Sequence, residues 1–301
     1  MIRQLPAVEA ERQTLDRKDA LVPSAQLSTG ISMYYKSEGV GEPLLLIIGT
    51  GGDHTWWASH VSAYRDAFQV LSIDNRGTGQ SDSPPDPESY TMRVLAEDAA
   101  ALLDALEIER AHVSGLSLGS TVGQELAINH PDRVASLQLH ATWGRTDAWL
   151  KRLFESLAYP LRQGDLEAFI QAAFLWVASP TYLNESPEEI AAIERAYVAE
   201  NPHPPSLEAL LGHLHADATH DALDRLHEIT APTLITSGEL DWEIPTRYGQ
   251  MVHERIADSR LHVFEGPRSS HLGFVEMVDE FNRVSRAFLD EHRGLATPGS
   301  A

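Results

Sequence analysis

Gly115-Leu116-Ser117-Leu118-Gly119 is the stretch on which the fold turns. It follows a short apolar run, Ala111-His112-Val113, and precedes a helix-like segment from Ser120 to Asn129. Strand, Gly-x-Ser-x-Gly, helix is the pattern of a serine held on a sharp turn at the edge of a sheet. The spacing has a physical cause. The serine backbone is bent into a strained conformation, and side chains two residues before and after would clash with it. Glycine has no Cβ and tolerates the crowding. The hydroxyl is then lifted clear of the sheet, and the next helix aims its N-terminal N–H groups towards it. Taken alone, the pentapeptide is equally a glycine-rich turn with a surface serine, so the other strand ends must decide.

Upstream, Leu44 to Ile48 is a continuous apolar run, as expected for a strand buried on both faces of a parallel sheet. It ends in Gly49-Thr50-Gly51-Gly52, followed by Asp53-His54-Thr55-Trp56-Trp57. Glycines directly after a buried strand let backbone N–H groups approach a ligand. A phosphate loop would need a following Gly-Lys-Ser/Thr, which is absent, so an oxyanion-binding loop fits better. Phe68 to Ile73 is the next buried strand, and it ends in the polar turn Asp74 to Asp82. Asp74 and Arg76 suit a structural role there, tying loop backbone by charge-assisted hydrogen bonds. Ser89 or Thr91 can cap a helix running to Leu106, with Leu95, Ala99, Leu102, Leu103 and Leu106 on one face.

Val134 to His140 is another strand. Up to this point strands and helices alternate, which predicts a parallel sheet with helices on both faces. The alternation then stops. Asp147 to Leu161, Leu166 to Ala178, Pro187 to Asn201 and Ser206 to Ala216 are all helical patterns, which predicts a helical cap over 142–230. Strands resume at Pro232 to Thr236 and Leu261 to Phe264, and a last amphipathic helix carries Val278, Phe281, Val284 and Phe288. The predicted core is therefore 29–141 and 231–292. Residues 1–28 form an N-terminal extension that can cover a sheet edge, and 293–301 a flexible tail.

Composition narrows the function classes. Apolar residues make up 43% of 301, ordinary for a core of this size. No run of 18 apolar residues predicts a membrane span, and Met1 to Ala20 lacks the apolar centre of a signal peptide. The chain has no cysteine, which excludes disulfides, thiolate metal sites and a cysteine nucleophile. A net charge of −21 repels nucleic acid and anionic membranes. The expectation is a cytoplasmic protein with a small-molecule substrate, no nucleic-acid or membrane partner, and room for a homodimer. No His and carboxylate spacing supports a metal, and no cofactor is expected.

Three strand ends offer Ser117, Asp241 and His271, in the chain order of a serine nucleophile, an acid and a histidine base. Glu239, Glu243 and, beyond the sixth strand, Asp147 are rivals for the acid. From about residue 30 to 290 the sequence resembles the α/β-hydrolase fold superfamily. The residues that carry the resemblance are the glycine loop Gly49–Gly52, Asp74–Asp82, Gly115–Gly119, Gly238-Glu239-Leu240-Asp241, and His271 followed by Glu276. The resemblance implies an α/β fold: a mostly parallel eight-stranded sheet flanked by helices, with an inserted helical cap. It implies that Ser117, Asp241 and His271 are catalytic, and that the backbone N–H groups of Thr50 and Leu118 hold the oxyanion. Many relatives have His-Gly where this chain has Ile48-Gly49, so local loop bonding must differ. A serine nucleophile, not an aspartate, separates the chain from haloalkane dehalogenases and epoxide hydrolases of the same fold.

Within the superfamily the chain looks most like 3-oxoadipate enol-lactonase-like serine hydrolases. That resemblance implies an ester or lactone of a small, apolar or aromatic-derived substrate. Gly51, Trp56, Trp57, Trp143, Arg145, Trp176 and Trp242 are the candidate substrate contacts, because they lie on or beside the expected site loops and cap. Should the substrate carry a carboxylate, Arg145 and Arg268 are the candidate cations. Two other functions remain open at this point: hydrolysis of a C–C bond in a ring-fission product, and a ligand-binding receptor that retains the triad.

Overall fold

Leu44, Leu45, Leu46 and Ile47 have no exposed surface, which a strand achieves only at the centre of a sheet covered on both faces. In the computed structural model, which describes residues 24–296, that sheet has eight strands. They are β1 (Ser24–Gln26), β2 (Ser32–Glu38), β3 (Glu42–Ile47), β4 (Phe68–Ile73), β5 (Ala111–Leu116), β6 (Val134–His140), β7 (Thr233–Gly238) and β8 (Ser259–Phe264). Their order is β1-β2-β4-β3-β5-β6-β7-β8. The β1–β2 and β2–β4 pairs are antiparallel, and all pairs from β4–β3 to β7–β8 are parallel.

Along β3 the side chains alternate between two cores, as the two-residue period of a strand requires. Leu45 and Ile47 join one apolar cluster, Leu44 and Leu46 the other. The first cluster takes in the buried stripes of α2 (Met92–Ala105) and α3 (Leu118–Asn129); the second takes in Val61 and Tyr64 of α1 (Ala58–Tyr64). Thr91, not Ser89, caps α2, its hydroxyl accepting from Val94 N–H. Three helices complete the sheet's flanks: α9 (Thr246–His253), α10 (Gly273–Glu276) and α11 (Val278–Glu291).

Between β6 and β7 the chain forms α4 (Ala148–Arg162), α5 (Leu166–Val177), α6 (Pro180–Glu185), α7 (Pro187–Arg195) and α8 (Leu207–Thr219). Four of these start on the side chains that a helix start demands. Asp147, Asp165, Ser179 and Ser206 each accept from a backbone N–H of the first turn. In α4 the buried residues Leu150, Leu153, Phe154, Leu157 and Leu161 fall at helical spacing and face α8 and α5. Among the described residues no helix is long and apolar enough to cross a membrane.

The chain ends differ from expectation. Ser24–Gln26, assigned to the extension, is strand β1 and covers the β2 edge; residues 1–23 of that extension lie outside the described residues. The tail is not loose at its start. Gly294 and Ala296 N–H donate to the Glu42 carboxylate, and Ala296 is buried. Residues 297–301 lie outside the described residues.

Candidate active site

Ser117 sits between β5 and α3 with φ 54° and ψ −123°, a conformation that costs about 1–3 kcal/mol. Its neighbours leave no alternative to glycine. A Cβ on Gly115 would lie 2.1 Å from the Gly119 carbonyl oxygen, and one on Gly119 would lie 2.1 Å from the Ile47 carbonyl oxygen. The strained residue is pinned from both sides. Ser117 N–H donates to the His140 carbonyl at 2.9 Å, and the Ser117 carbonyl accepts from Ser120 N–H at 2.8 Å and from the Ser120 hydroxyl at 2.6 Å.

The loops after β7 and β8 press together in the same way. A Cβ on Gly238 would meet the Ser269 carbonyl oxygen at 2.2 Å, and Leu240 N–H donates to that same oxygen at 2.9 Å. This contact brings Asp241 and His271 together. His271 Nδ1 lies 2.9 Å from Asp241 Oδ2, both residues being buried, while Asp241 Oδ1 accepts from Ile244 N–H at 2.7 Å. Two rivals for the acid have other places. Glu239 is exposed, and Asp147 caps α4 and accepts from the Tyr248 hydroxyl. The third, Glu243, reaches the opposite side of the imidazole: its Oε2 lies 3.2 Å from His271 Nε2.

Both ring nitrogens therefore face carboxylates, which favours the doubly protonated imidazolium. Burial opposes that charge, but Asp241 and Glu243 outweigh it and raise the His271 pKa to about 9. Glu243 is itself buried, and burial pushes its carboxyl up against the pull of His271. A further acid, Asp217 of α8, is buried nearby. Burial pushes its carboxyl well above the usual carboxylate range, although the Thr50 hydroxyl donates to its Oδ2 at 2.6 Å.

The glycine loop after β3 is held from α8. Gly51 N–H donates to His213 Nδ1 at 3.1 Å, and His213 Nε2 donates to the Arg76 carbonyl at 2.9 Å. One nitrogen accepts and the other donates, so the ring is neutral, and burial lowers its pKa to about 4. The Tyr197 hydroxyl donates to the Gly51 carbonyl at 3.1 Å. On the other side, Asn75 donates from Nδ2 to the Ile48 carbonyl at 3.1 Å. Arg76 is buried in a two-point contact with Asp98, and Asp74 accepts from His54 N–H, His54 Nδ1 and Gln80 N–H. Asp53, His54 and Asp74 stand close enough to hold a metal ion, but these hydrogen bonds and the Asp53 cap on Thr55 N–H already employ them.

A cavity of about 120 Å³ opens over Ser117. Thr50, Ser117, Glu243 and His271 line its sheet side; Leu157, Phe169, Ile170, Phe174, Leu214 and Asp217 line its helical side. Leu118 is the first residue of α3, so its N–H lies at the helix start directly after the serine. Of the expected substrate contacts, Trp56 lines the cavity. The others do not. Gly51 is committed to His213 and Tyr197, while Thr50 and Gly52 on either side of it face the cavity. Trp57 is fully buried against Phe274 and His60, because adjacent residues of its helical turn point to different sides. Trp143 is fully buried against Phe154, with its indole N–H on the Thr146 hydroxyl. Trp176 packs on Trp149, and Trp242 is 47% exposed. Arg145 is a half-buried residue paired with Asp221 and Asp224, and Arg268 is paired with Glu185.

Asp217, His213 and Tyr197 are the site-forming residues absent from the sequence-based set. A signal for two of them existed. Leu210, His213, Leu214 and Asp217 recur at helical spacing on one buried stripe, so a histidine and an acid stand where the pattern calls for apolar residues.

Comparison with known proteins gives the family. The family model for the alpha/beta hydrolase fold matches residues 42–276. A protein of Azorhizobium caulinodans named "Putative carbamate hydrolase RutD" is 32% identical over 259 residues, covering 86% of this chain and 95% of that protein. The crystal structure of the enol-lactonase from Burkholderia xenovorans LB400 superposes with a TM-score of 0.80 at 26% identity, covering 89% of this chain and all of that one. A hydrolase from Pseudomonas aeruginosa PA01 superposes at 0.81 with 28% identity, covering 90% and 99%. On the sheet order, the serine turn and these matches together, the chain belongs to the alpha/beta hydrolase fold family.

Proposed function

We propose that the protein is a serine hydrolase that cleaves the carboxylic ester or lactone of a small, largely apolar substrate through an acyl-enzyme. One observation carries this reading. A strained serine and a buried histidine, itself hydrogen-bonded to a buried aspartate, line the same small cavity. A serine hydroxyl is a poor nucleophile near neutral pH and needs a base. His271 takes the Ser117 proton as Oγ attacks the carbonyl carbon, then gives it to the leaving oxygen. Asp241 keeps Nδ1 protonated and Nε2 aimed outward. The tetrahedral oxyanion takes hydrogen bonds from the Thr50 and Leu118 N–H groups, each worth about 10²–10³ in rate. Water, activated by the same histidine, releases the acid.

Size and lining limit the substrate. An apolar cavity of about 150 Å³ holds one benzene, so about 120 Å³ suits a short acyl chain or a small ring. The similarity to an enol-lactonase supports an ester or lactone. The similarity to a protein named for carbamate hydrolysis supports a wider set of acyl carbonyls, since the same triad serves both. Ser117→Ala tests the mechanism. It is expected to lower kcat on a short-chain p-nitrophenyl ester by roughly 10⁶-fold and to leave the circular dichroism spectrum unchanged. Turnover near the wild-type rate would overturn the reading. Dienoate products from ring-fission substrates, with no ester turnover, would favour C–C hydrolysis instead.

A further inference from the structure

The cavity wall carries two acids that the proposed mechanism does not use. Asp217 is 1% exposed and Glu243 is 8% exposed, and both line the cavity with Ser117. Among the described residues no lysine or arginine lines it. The two arginines placed nearest by sequence are committed elsewhere, Arg145 to Asp221 and Asp224 and Arg268 to Glu185.

Asp217 has an oxygen with no partner, and Glu243 has one that it shares with His271. Asp217 Oδ2 receives the Thr50 hydroxyl, but Asp217 Oδ1 is buried without a hydrogen-bond partner, a costly arrangement unless a ligand completes it. Glu243 Oε2 faces His271 Nε2 at 3.2 Å. That nitrogen is the one that must accept the Ser117 proton. While it carries a proton shared with Glu243, the imidazolium cannot act as a base.

We propose that Asp217 and Glu243 read a hydrogen-bond donor on the substrate, so that the site takes small uncharged or cationic esters bearing a hydroxyl or amino group and turns anionic ones away. The inference rests on the serine-hydrolase reading for its kinetic consequence and deepens it by naming the substrate class. A hydroxyl or ammonium group that occupies Glu243 removes the partner of Nε2–H. His271 then loses that proton to solvent, and Nε2 becomes free to accept from Ser117. Selection and activation coincide. A cationic donor lets the two carboxyls ionise against it, which burial otherwise opposes. A carboxylate on the substrate finds, among the described residues lining the cavity, the imidazolium as its one cationic partner, and that use as an anion site blocks its use as a base.

A series of near-isosteric esters tests this with the full-length wild-type protein. Ethyl butanoate carries a methyl group where ethyl 3-hydroxypropanoate carries a hydroxyl and ethyl 3-aminopropanoate an ammonium; monoethyl succinate carries a carboxylate. At fixed pH the kcat/KM of the hydroxyl or amino ester is expected to exceed that of ethyl butanoate by about tenfold or more, with monoethyl succinate the poorest. The two donor esters separate a preference for a neutral donor from one for a cation. In Glu243→Gln and Asp217→Asn the ratio of donor ester to ethyl butanoate is expected to fall towards one. A ratio measured on one preparation does not depend on the fraction folded. A flat wild-type series, a preference for monoethyl succinate, or an unchanged ratio in both variants would overturn the proposal. Binding of the amino ester and of ethyl butanoate to Ser117→Ala, followed by ligand-observed NMR, separates the two readings. A preference for the amino ester with no Ser117-dependent turnover in the wild type supports the donor wall and sinks the hydrolase mechanism; equal binding overturns the donor wall.

Discussion

The two sides of the cavity obey different rules. On the sheet side, backbone positions are fixed to within a fraction of an ångström. Gly115, Gly119 and Gly238 each have a carbonyl oxygen closer than 2.5 Å to where a Cβ would stand. On the helical side, Leu157, Phe169, Ile170 and Phe174 are placed by apolar packing. Such packing tolerates swaps that conserve volume, whereas a carbonyl oxygen cannot yield to a methyl group without moving a strand. The sheet side can hold a reaction geometry; the helical side can change what fits against it.

Changes on the sheet side should break chemistry and stability, and changes on the helical side should retune preference. Asp241→Asn should have the largest effect after loss of the serine itself. It leaves the shape intact but no longer fixes the Nδ1–H tautomer, so kcat should fall about 10⁴-fold; steady-state kinetics on a short ester would check it. Gly119→Ala should cost about 1–3 kcal/mol of stability or more, read as a lower urea midpoint, because its Cβ meets the Ile47 carbonyl. Phe169→Leu, across the cavity, should cost less than about 1.5 kcal/mol and change KM more than kcat. Equal losses in the two variants would erase the contrast between the sides.

The pH profile sharpens the same comparison. The groups facing His271 are Asp241 and Glu243 from the loop after β7 and Asp217 from α8. In the proposed mechanism the neutral imidazole is the active form, and the His271 pKa is raised to about 9. For a donor-free ester, kcat/KM should therefore climb as pH rises and level off above about 9. Glu243→Gln removes a negative charge that stabilises the imidazolium. The climb should then move to lower pH by about one unit, and an unmoved or upward-shifted profile would contradict the contact. Arg145→Ala should do least, leaving kcat/KM within about twofold, since exposed ion pairs contribute little.

Much of the sheet side was legible in the sequence because each strand end carries a short-range signature. Glycine spacing around Ser117, the apolar run before Gly49 and the turn at Asp74 each act within a few residues. The pairing of Asp241 with His271 rested on chain order and family spacing rather than on a local signature, since Asp241 follows the buried strand β7 but His271 follows β8, a half-exposed strand at the sheet edge. The tryptophans were not. Trp56 and Trp57 are neighbours with the same chemistry, and only the turn geometry sends one to the cavity and the other into the core. Trp143 and Trp176 belong to packing between helices whose relative placement has no local code. Asp217 was missed because an acid in a helix is ordinarily a solvated residue, and its burial depends on where α8 lies against the β3 loop.

The hold of the helical segment on the glycine loop has a mechanical consequence. Thr50 bonds to Asp217, Gly51 to His213 and to Tyr197, and His213 in turn to the Arg76 carbonyl. A swing of these helices away from the sheet would pull on the very loop whose Thr50 N–H is proposed to hold the oxyanion. Under such a swing, admission and reaction would be like the two settings of a turnstile: a gate that opened wide enough to pass a molecule would, by the same movement, let go of the catch that turns it over.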